Sequence, residues 1–274
     1  MTAAPPTAAS AVPRRPIHIH MDAHVHIYPS YNLPRLLLSA LDHMPRLTPT
    51  DLRILCLAER ADCTFFQSLA QDEISLPADA WRIIAWDPEG GVKIRHRPTH
   101  RDLWILAGRQ IVTAENIEIC SLFSDLPVPD HLDARSTLRA IREANGLPAL
   151  DWAFGKWTFS RGSLVRALLR ENPPETLLLI DTAMRPRHTP APRPYAAARR
   201  TGRPLLAGSD PLPTPAEDQI PGTYFTTFTL PPPADSASII PVLRAHLTTL
   251  PLPSPMQYQG RRNTLLQALR RRRL

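Results

Sequence analysis

Between Ile17 and Ile27 polar and apolar residues alternate without a break. His18, His20, Asp22, His24 and His26 hold the even positions, and Ile, Ile, Met, Ala, Val and Ile the odd ones. A period of two predicts a strand with one ligand-rich face and one apolar face. Tyr28-Pro29-Ser30-Tyr31-Asn32 supplies its end. The spacing then turns helical over Pro34 to Met44, with proline in the opening turn. Asp51 to Leu57 reads as a buried strand and Ala58 to Ala70 as a helix. Two alternating runs around Gly90-Gly91 predict an antiparallel hairpin over residues 81–97. Strands are expected at Leu103–Ala107 and Ile117–Leu122. A regular rhythm follows. Helices over Ala134–Asn145, Ser163–Asn172 and Tyr195–Thr201 precede strands over Leu147–Trp152, Thr176–Asp181 and Pro204–Ala207. A strand Tyr224–Leu230, a helix Ile239–Leu250 and an Arg-rich helix Arg261–Leu274 close the chain. Strands alternating with helices imply an α/β fold with parallel strands and right-handed crossovers. About seven or eight such units predict a distorted (β/α)7-8 TIM-like barrel carrying the hairpin as an insertion. Residues 17–274 are expected to form that barrel as one domain behind a disordered Ala/Pro-rich tail, residues 1–16.

Composition changes this picture in few places. The 32 prolines against 10 glycines predict stiff loops and sharply stopped helices. A net charge of +7 suits anionic ligands, phosphate esters and nucleic acid among them. Cys56, Cys63 and Cys120 lack CxxC spacing and sit among apolar residues. They read as core thiols in a reducing, cytoplasmic compartment rather than a disulfide framework. No apolar stretch approaches the length of a membrane span.

The candidate chemistry gathers at strand ends. His24 and His26 lie about 6.6 Å apart on one strand face, within reach of a common cation. His18 and His20 lie too far back to join them. Glu118, Asp151, Asp181 and Asp210 fall at or near the carboxyl ends of later strands, where a barrel collects its functional groups. Two imidazoles with carboxylates suit a divalent metal, Zn²⁺, Mn²⁺ or Fe²⁺. Such an ion lowers the pKa of a bound water and orients an anionic substrate. Lys156 and Arg161 precede a helix N-terminus, an arrangement favourable to anions, and Arg185 and Arg187 follow Asp181. Blander readings stand beside each of these. Glu118 could be a carboxylate on a half-exposed strand, Asp181 and Asp210 loop caps, and Lys156 a solvated loop residue. The terminal arginines suit the C-terminal dipole of a packed helix, with a nucleic-acid contact as the alternative.

Met21-Asp22-Ala23-His24-Val25-His26 resembles the opening motif of the PHP (polymerase and histidinol phosphatase) domain and related amidohydrolases. Ile117-Glu118-Ile119 is similar to that family's Gly-x-Glu-Ile strand, with Asn116 in place of glycine. Leu206-Ala207-Gly208-Ser209-Asp210 is similar to its closing Gly-Ser-Asp-x-His motif. The resemblance implies a distorted (β/α)7 barrel that binds up to three metals and hydrolyses phosphate esters. It implies that His24, His26, Glu118 and Asp210 are metal ligands. The chain departs from the pattern at Asp151-Trp152-Ala153, where the family has Ala-His-Pro, and at Leu212, where a histidine is expected. One ion rather than three is therefore expected. The resulting expectation is a metal-dependent hydrolase acting on a small anionic substrate. Asp181 or Asp151 would orient or deprotonate water, and Lys156 and Arg161 would neutralise the substrate. The rivals are a barrel that has lost catalysis and serves binding or assembly, and a nucleic-acid partner using the Arg-rich terminus.

Overall fold

A computed structural model describes residues 16–45, 48, 51–230, 238–252 and 255–271. The tail expected over 1–16 lies almost wholly outside the described residues, as do the last three residues of the Arg-rich terminus. The chain runs through β1 (Ile17–Val25), α1 (Leu33–His43), β2 (Leu52–Leu57), α2 (Phe65–Ala70), β3 (Trp81–Asp87), β4 (Gly91–His96), β5 (Arg101–Leu106), β6 (Gly108–Val112) and β7 (Glu118–Leu122). It continues with α3 (Ala134–Glu143), β8 (Leu147–Asp151), α4 (Phe159–Glu171), β9 (Leu178–Thr182), α5 (Arg193–Thr201) and β10 (Leu205–Gly208). The short 3-10 turn Pro215–Glu217, β11 (Tyr224–Leu230), α6 (Ile240–Thr248), β12 (Gln257–Gly260) and α7 (Leu265–Arg271) complete it.

The strands form two mixed sheets, not the closed barrel that the alternation implied. One has seven strands in the order β12-β11-β1-β2-β5-β4-β3, the other five in the order β10-β9-β8-β7-β6. The reason lies at the edges of the β1–β2 pair. Antiparallel β11 takes one edge, and β5, trailing the hairpin β3–β4, takes the other. Among the described residues no ladder then closes onto the smaller sheet, in which β7 runs antiparallel to both β6 and β8. The sheets touch through isolated links. The Asp210 N–H donates to the His24 carbonyl at 3.0 Å. On the other side Glu59 forms a lone parallel bridge with Arg109. That bridge keeps residue 59 extended, so the helix expected from Ala58 begins only at Phe65. Likewise the helix expected from Arg261 starts at Leu265, because 257–260 pair with β11.

Burial follows the two faces of each sheet. The inner faces share one core, with Ile19, Met21 and Ile54 from the larger sheet against Cys120, Ala149, Ile180 and Leu206 from the smaller. Helix α6 adds Ile240, Leu243 and Leu247 to it. The outer face of the larger sheet packs on α1 through Leu36, Leu37 and Leu41, and that of the smaller on α3, α4 and α5 through Leu138, Leu168 and Tyr195. Each fully buried Leu or Ile contributes about 1.5–3 kcal/mol. Caps fix where the helices begin. The Asn32 side chain accepts from the Arg35 N–H, and that of Asp133 from Arg135 and Ser136.

Candidate metal centre

The alternation of β1 breaks where the histidines matter. Met21 pairs with Ile54 and Asp22 with Leu55, but Val25 pairs with Leu57, so three residues of β1 span two of β2. Such a bulge reverses which side chains face the core. Before it Ile19, Met21 and Ala23 point between the sheets; after it Val25 and Ile27 pack on the outer cluster with α1 and α2. His24 and His26 therefore turn inward. His20 stays on the other face, beside Asp51 at 3.7 Å and edge-on to Phe225.

The two inward imidazoles bring their Nε2 atoms to 3.1 Å. Asp210 Oδ1 lies 3.7 Å from Nε2 of His24 and 3.9 Å from that of His26. Two donors on a shared zinc-like ion stand about 2.9–3.4 Å apart, given metal–nitrogen bonds of about 2.0–2.1 Å and angles between square and tetrahedral. The imidazole pair fits that spacing, and the carboxylate is a few tenths of an ångström wider. On the far side of His24, Nδ1 lies 3.4 Å from Asp151 Oδ2 and 3.4 Å from Cys120 Sγ. His24 thus joins two candidate donor groups, His24–His26–Asp210 and His24–Cys120–Asp151.

Close approach of the backbones builds this arrangement. A methyl group on Gly208 would sit 2.4 Å from the His24 Cβ, so only glycine lets β10 run this near to β1. Two residues on, Asp210 holds φ of 51°, left-handed and ahead of a proline. Asp tolerates that conformation better than most residues. Below the histidines the buried Asp22 carboxyl accepts the main-chain N–H groups of His24, Ser209 and Gly222 at 3.3, 2.9 and 2.7 Å. Burial pushes its pKa up to about 7. Asp22 therefore ties β1 to the loop that carries Asp210 rather than offering a ligand.

Burial favours neutral forms here, and neutral is the coordinating form for the imidazole but not for a carboxyl or a thiol. Burial, then the charges of His24 and Arg60, holds His26 well below the ordinary histidine range. Neutral imidazole is the metal-binding form. Burial, then the charges of Asp210 and Glu118, raises Asp151 well above the usual carboxyl range, and its Oδ1 has no hydrogen-bond partner among the described residues. Burial likewise raises the Cys120 thiol.

The remaining expected site residues fall around this centre unevenly. Glu118 and Lys156 pair at 2.6 Å in a cavity of about 200 Å³ that also takes in His26, Arg60, Gln110 and Asp210. Glu118 is outside both donor groups. Asp181 stands on β9 beyond Ile180, on the alternate face from the inner core. Its two oxygens accept from Arg185 Nε and NH2 at 2.6 Å each, and from the Tyr195 and Tyr224 hydroxyls at 3.3 and 3.0 Å. Arg161 donates to the Gly155 carbonyl at 2.9 Å and does not line the cavity. The sequence placed Asp22 on the ligand-rich face, where it strengthened the metal reading, and gave Cys120 to the core rather than to the centre. Cys120 carried one usable signal, since two positions after Glu118 it shares that strand's alternate face.

No family model matches the chain, and no curated protein matches it. Solved structures do. PsfC from Pseudomonas syringae is similar at 16% identity and a TM-score of 0.55, over 93% of this chain and 94% of that one. A likeness of this kind concerns the fold. More distantly, the lesion-specific endonuclease PfuEndoQ from Pyrococcus furiosus is similar at 12% identity and a TM-score of 0.48, over 89% of this chain and 59% of that one. A two-domain protein from Bacteroides vulgatus, described as containing a predicted PHP-like metal-dependent phosphoesterase, is similar at 9% identity and a TM-score of 0.48, over 90% and 65%. Among the described residues no helix is long and apolar enough to cross a membrane.

Proposed function

We propose that this chain is a metal-dependent hydrolase of phosphate esters or similarly charged small substrates, using one divalent cation held by His24, His26 and Asp210. The observation that carries this reading is the meeting of two Nε2 atoms at 3.1 Å beside the Asp210 carboxylate. When bound, the cation supplies a water of lowered pKa and a countercharge for the substrate. Asp151 faces the Nδ1 of His24 at 3.4 Å, the place from which a neighbouring carboxyl orients a metal-ligating imidazole. Lys156 and Arg60 line the adjoining cavity and attract an anionic group, with Glu118 fixing the lysine in place. Asp181, already held by an arginine and two tyrosines, takes no part in handling water. Arg161, bound to a carbonyl outside the cavity, takes no part in substrate binding.

The test is a panel of phosphate mono- and diesters offered to metal-stripped protein before and after addition of Mn²⁺ or Zn²⁺. Turnover that returns with the metal, and is abolished by His26→Ala, is the expected result. Stripped protein that takes up neither metal and stays inert would remove the proposal.

A further inference from the structure

Asp181 and the arginine beside it belong to a second cavity, on the opposite face of the smaller sheet from the histidines. Strand alternation separates the two. Leu178, Ile180 and Leu206 face the inner core, whereas Leu179 and Leu205 pack with Tyr195 of α5 on the outer face. Asp181 projects on that outer side, where it meets the Tyr195 hydroxyl. The cavity there measures about 340 Å³, near the small end of the range for small-molecule sites.

Its lining is strongly cationic. Arg185, Arg187, Arg199, Arg261 and Arg262 face it, and Asp181 is its one carboxylate. Arg185 is buried and balances Asp181 through two 2.6 Å hydrogen bonds, and Tyr224 and Tyr195 donate to the same carboxylate. That acid is thus neutralised in place. Among the described residues no carboxylate forms an ion pair with Arg187, Arg199, Arg261 or Arg262. They come from three separate segments, the loop after β9, helix α5 and the residues after β12. Backbone bonds hold two of these segments together. The Asn263 N–H donates to the Ala183 carbonyl at 2.9 Å, and the Arg187 N–H to the Asn263 carbonyl at 2.8 Å. Arg262 adds its guanidinium to the carbonyls of Pro186 and Arg187.

We infer that this cavity is a binding site for a small polyanion carrying at least two phosphoryl groups. Guanidinium groups match phosphate oxygens in bidentate pairs, and cations on several segments match a ligand with more than one anionic group better than a lone phosphate. The inference is independent of the proposed metal centre, because the two cavities share no lining residue.

The probe is pyrophosphate, titrated calorimetrically into the full-length, metal-stripped chain with chelator present. Wild type is expected to bind it saturably and to melt at a higher temperature in its presence. The double variant Arg199→Gln/Arg261→Gln changes two exposed side chains. It is expected to keep the ligand-free melting temperature and to lose about tenfold or more in affinity. His26→Ala is expected to bind as wild type does. Absence of saturable binding overturns the inference, and so does equal affinity in the arginine variant. Loss of binding in His26→Ala would place the anion at the histidines instead. Displacement by single-stranded oligonucleotides that strengthens with their length would assign the cavity to a nucleic-acid backbone, which also overturns it.

Discussion

Asp210 adopts a backbone conformation that few residues tolerate, and its carboxylate stands beside both histidines. Conformation and charge can be separated there. Asn is at home in the left-handed region, so Asp210→Asn should keep the melting temperature within a degree or two and weaken metal binding by more than about tenfold. Asp210→Ala should weaken metal binding equally and also lose about 1 kcal/mol of stability, seen as a lower melting temperature in the metal-free protein. A second buried acid sets a pH dependence. Burial raises Glu59 to about 7 from an ordinary glutamate value near 4.5, although it accepts the Phe66 N–H at 3.0 Å. A raised folded pKa means that the folded state holds the proton longer than the unfolded one. Its contribution is present in full below about pH 4.5 and is lost as pH rises through 7, a fall on the order of 3 kcal/mol. Denaturant titrations across that window should show the decline, and Glu59→Gln should make it shallower, leaving the share owed to Asp22, which is raised to about 7 as well. At this scale the sequence was partly readable. His24 and His26 stood out because they end an alternating strand. Asp22 looked equivalent to them, and only the bulge, which depends on pairing with β2, puts it on the other side. The engagement of Asp181 by Tyr195 and Tyr224 comes from residues 14 and 43 positions away, which no local pattern reveals.

Among the elements, those with clear periodicity or firm punctuation were legible: the β3–β4 hairpin around Gly90-Gly91, α3, α5, α4 ahead of Pro173-Pro174, though it begins at Phe159 rather than Ser163, and the largely apolar strands that follow these helices. Pairing was not, because a strand's own pattern names no neighbour. Antiparallel β6, β7 and β8 read like parallel strands, and β12, exposed along its whole length, gave no alternation to follow. The close approach of β1 and β10, which lie in different sheets, is the contact on which the proposed centre depends. Gly208→Ala forces the two backbones apart at His24. Overpacking of this kind costs about 1–3 kcal/mol. The variant should unfold at a lower denaturant concentration and bind metal more weakly.

For the molecule as a whole, alternating strands and helices suggested closure, and the outcome is two sheets over a shared core. Composition could not report this, since the same apolar residues serve either architecture. What decides it is which strand occupies each edge of β1 and β2. The excess of positive charge likewise has local destinations. Arg271, from the Arg-rich terminus, pairs with Glu217 and donates to the Asp210 carbonyl at 2.8 Å, so this arginine helps hold the loop that carries Asp210. The central claim, that His24, His26 and Asp210 hold one cation, has a direct test, because His24 also faces Cys120. X-ray absorption on zinc-loaded protein reads the atoms bound to the metal. The account predicts nitrogen and oxygen neighbours only, including two imidazoles, with one ion per chain. A sulfur neighbour at about 2.3 Å would place the ion at Cys120 and Asp151 and contradict it.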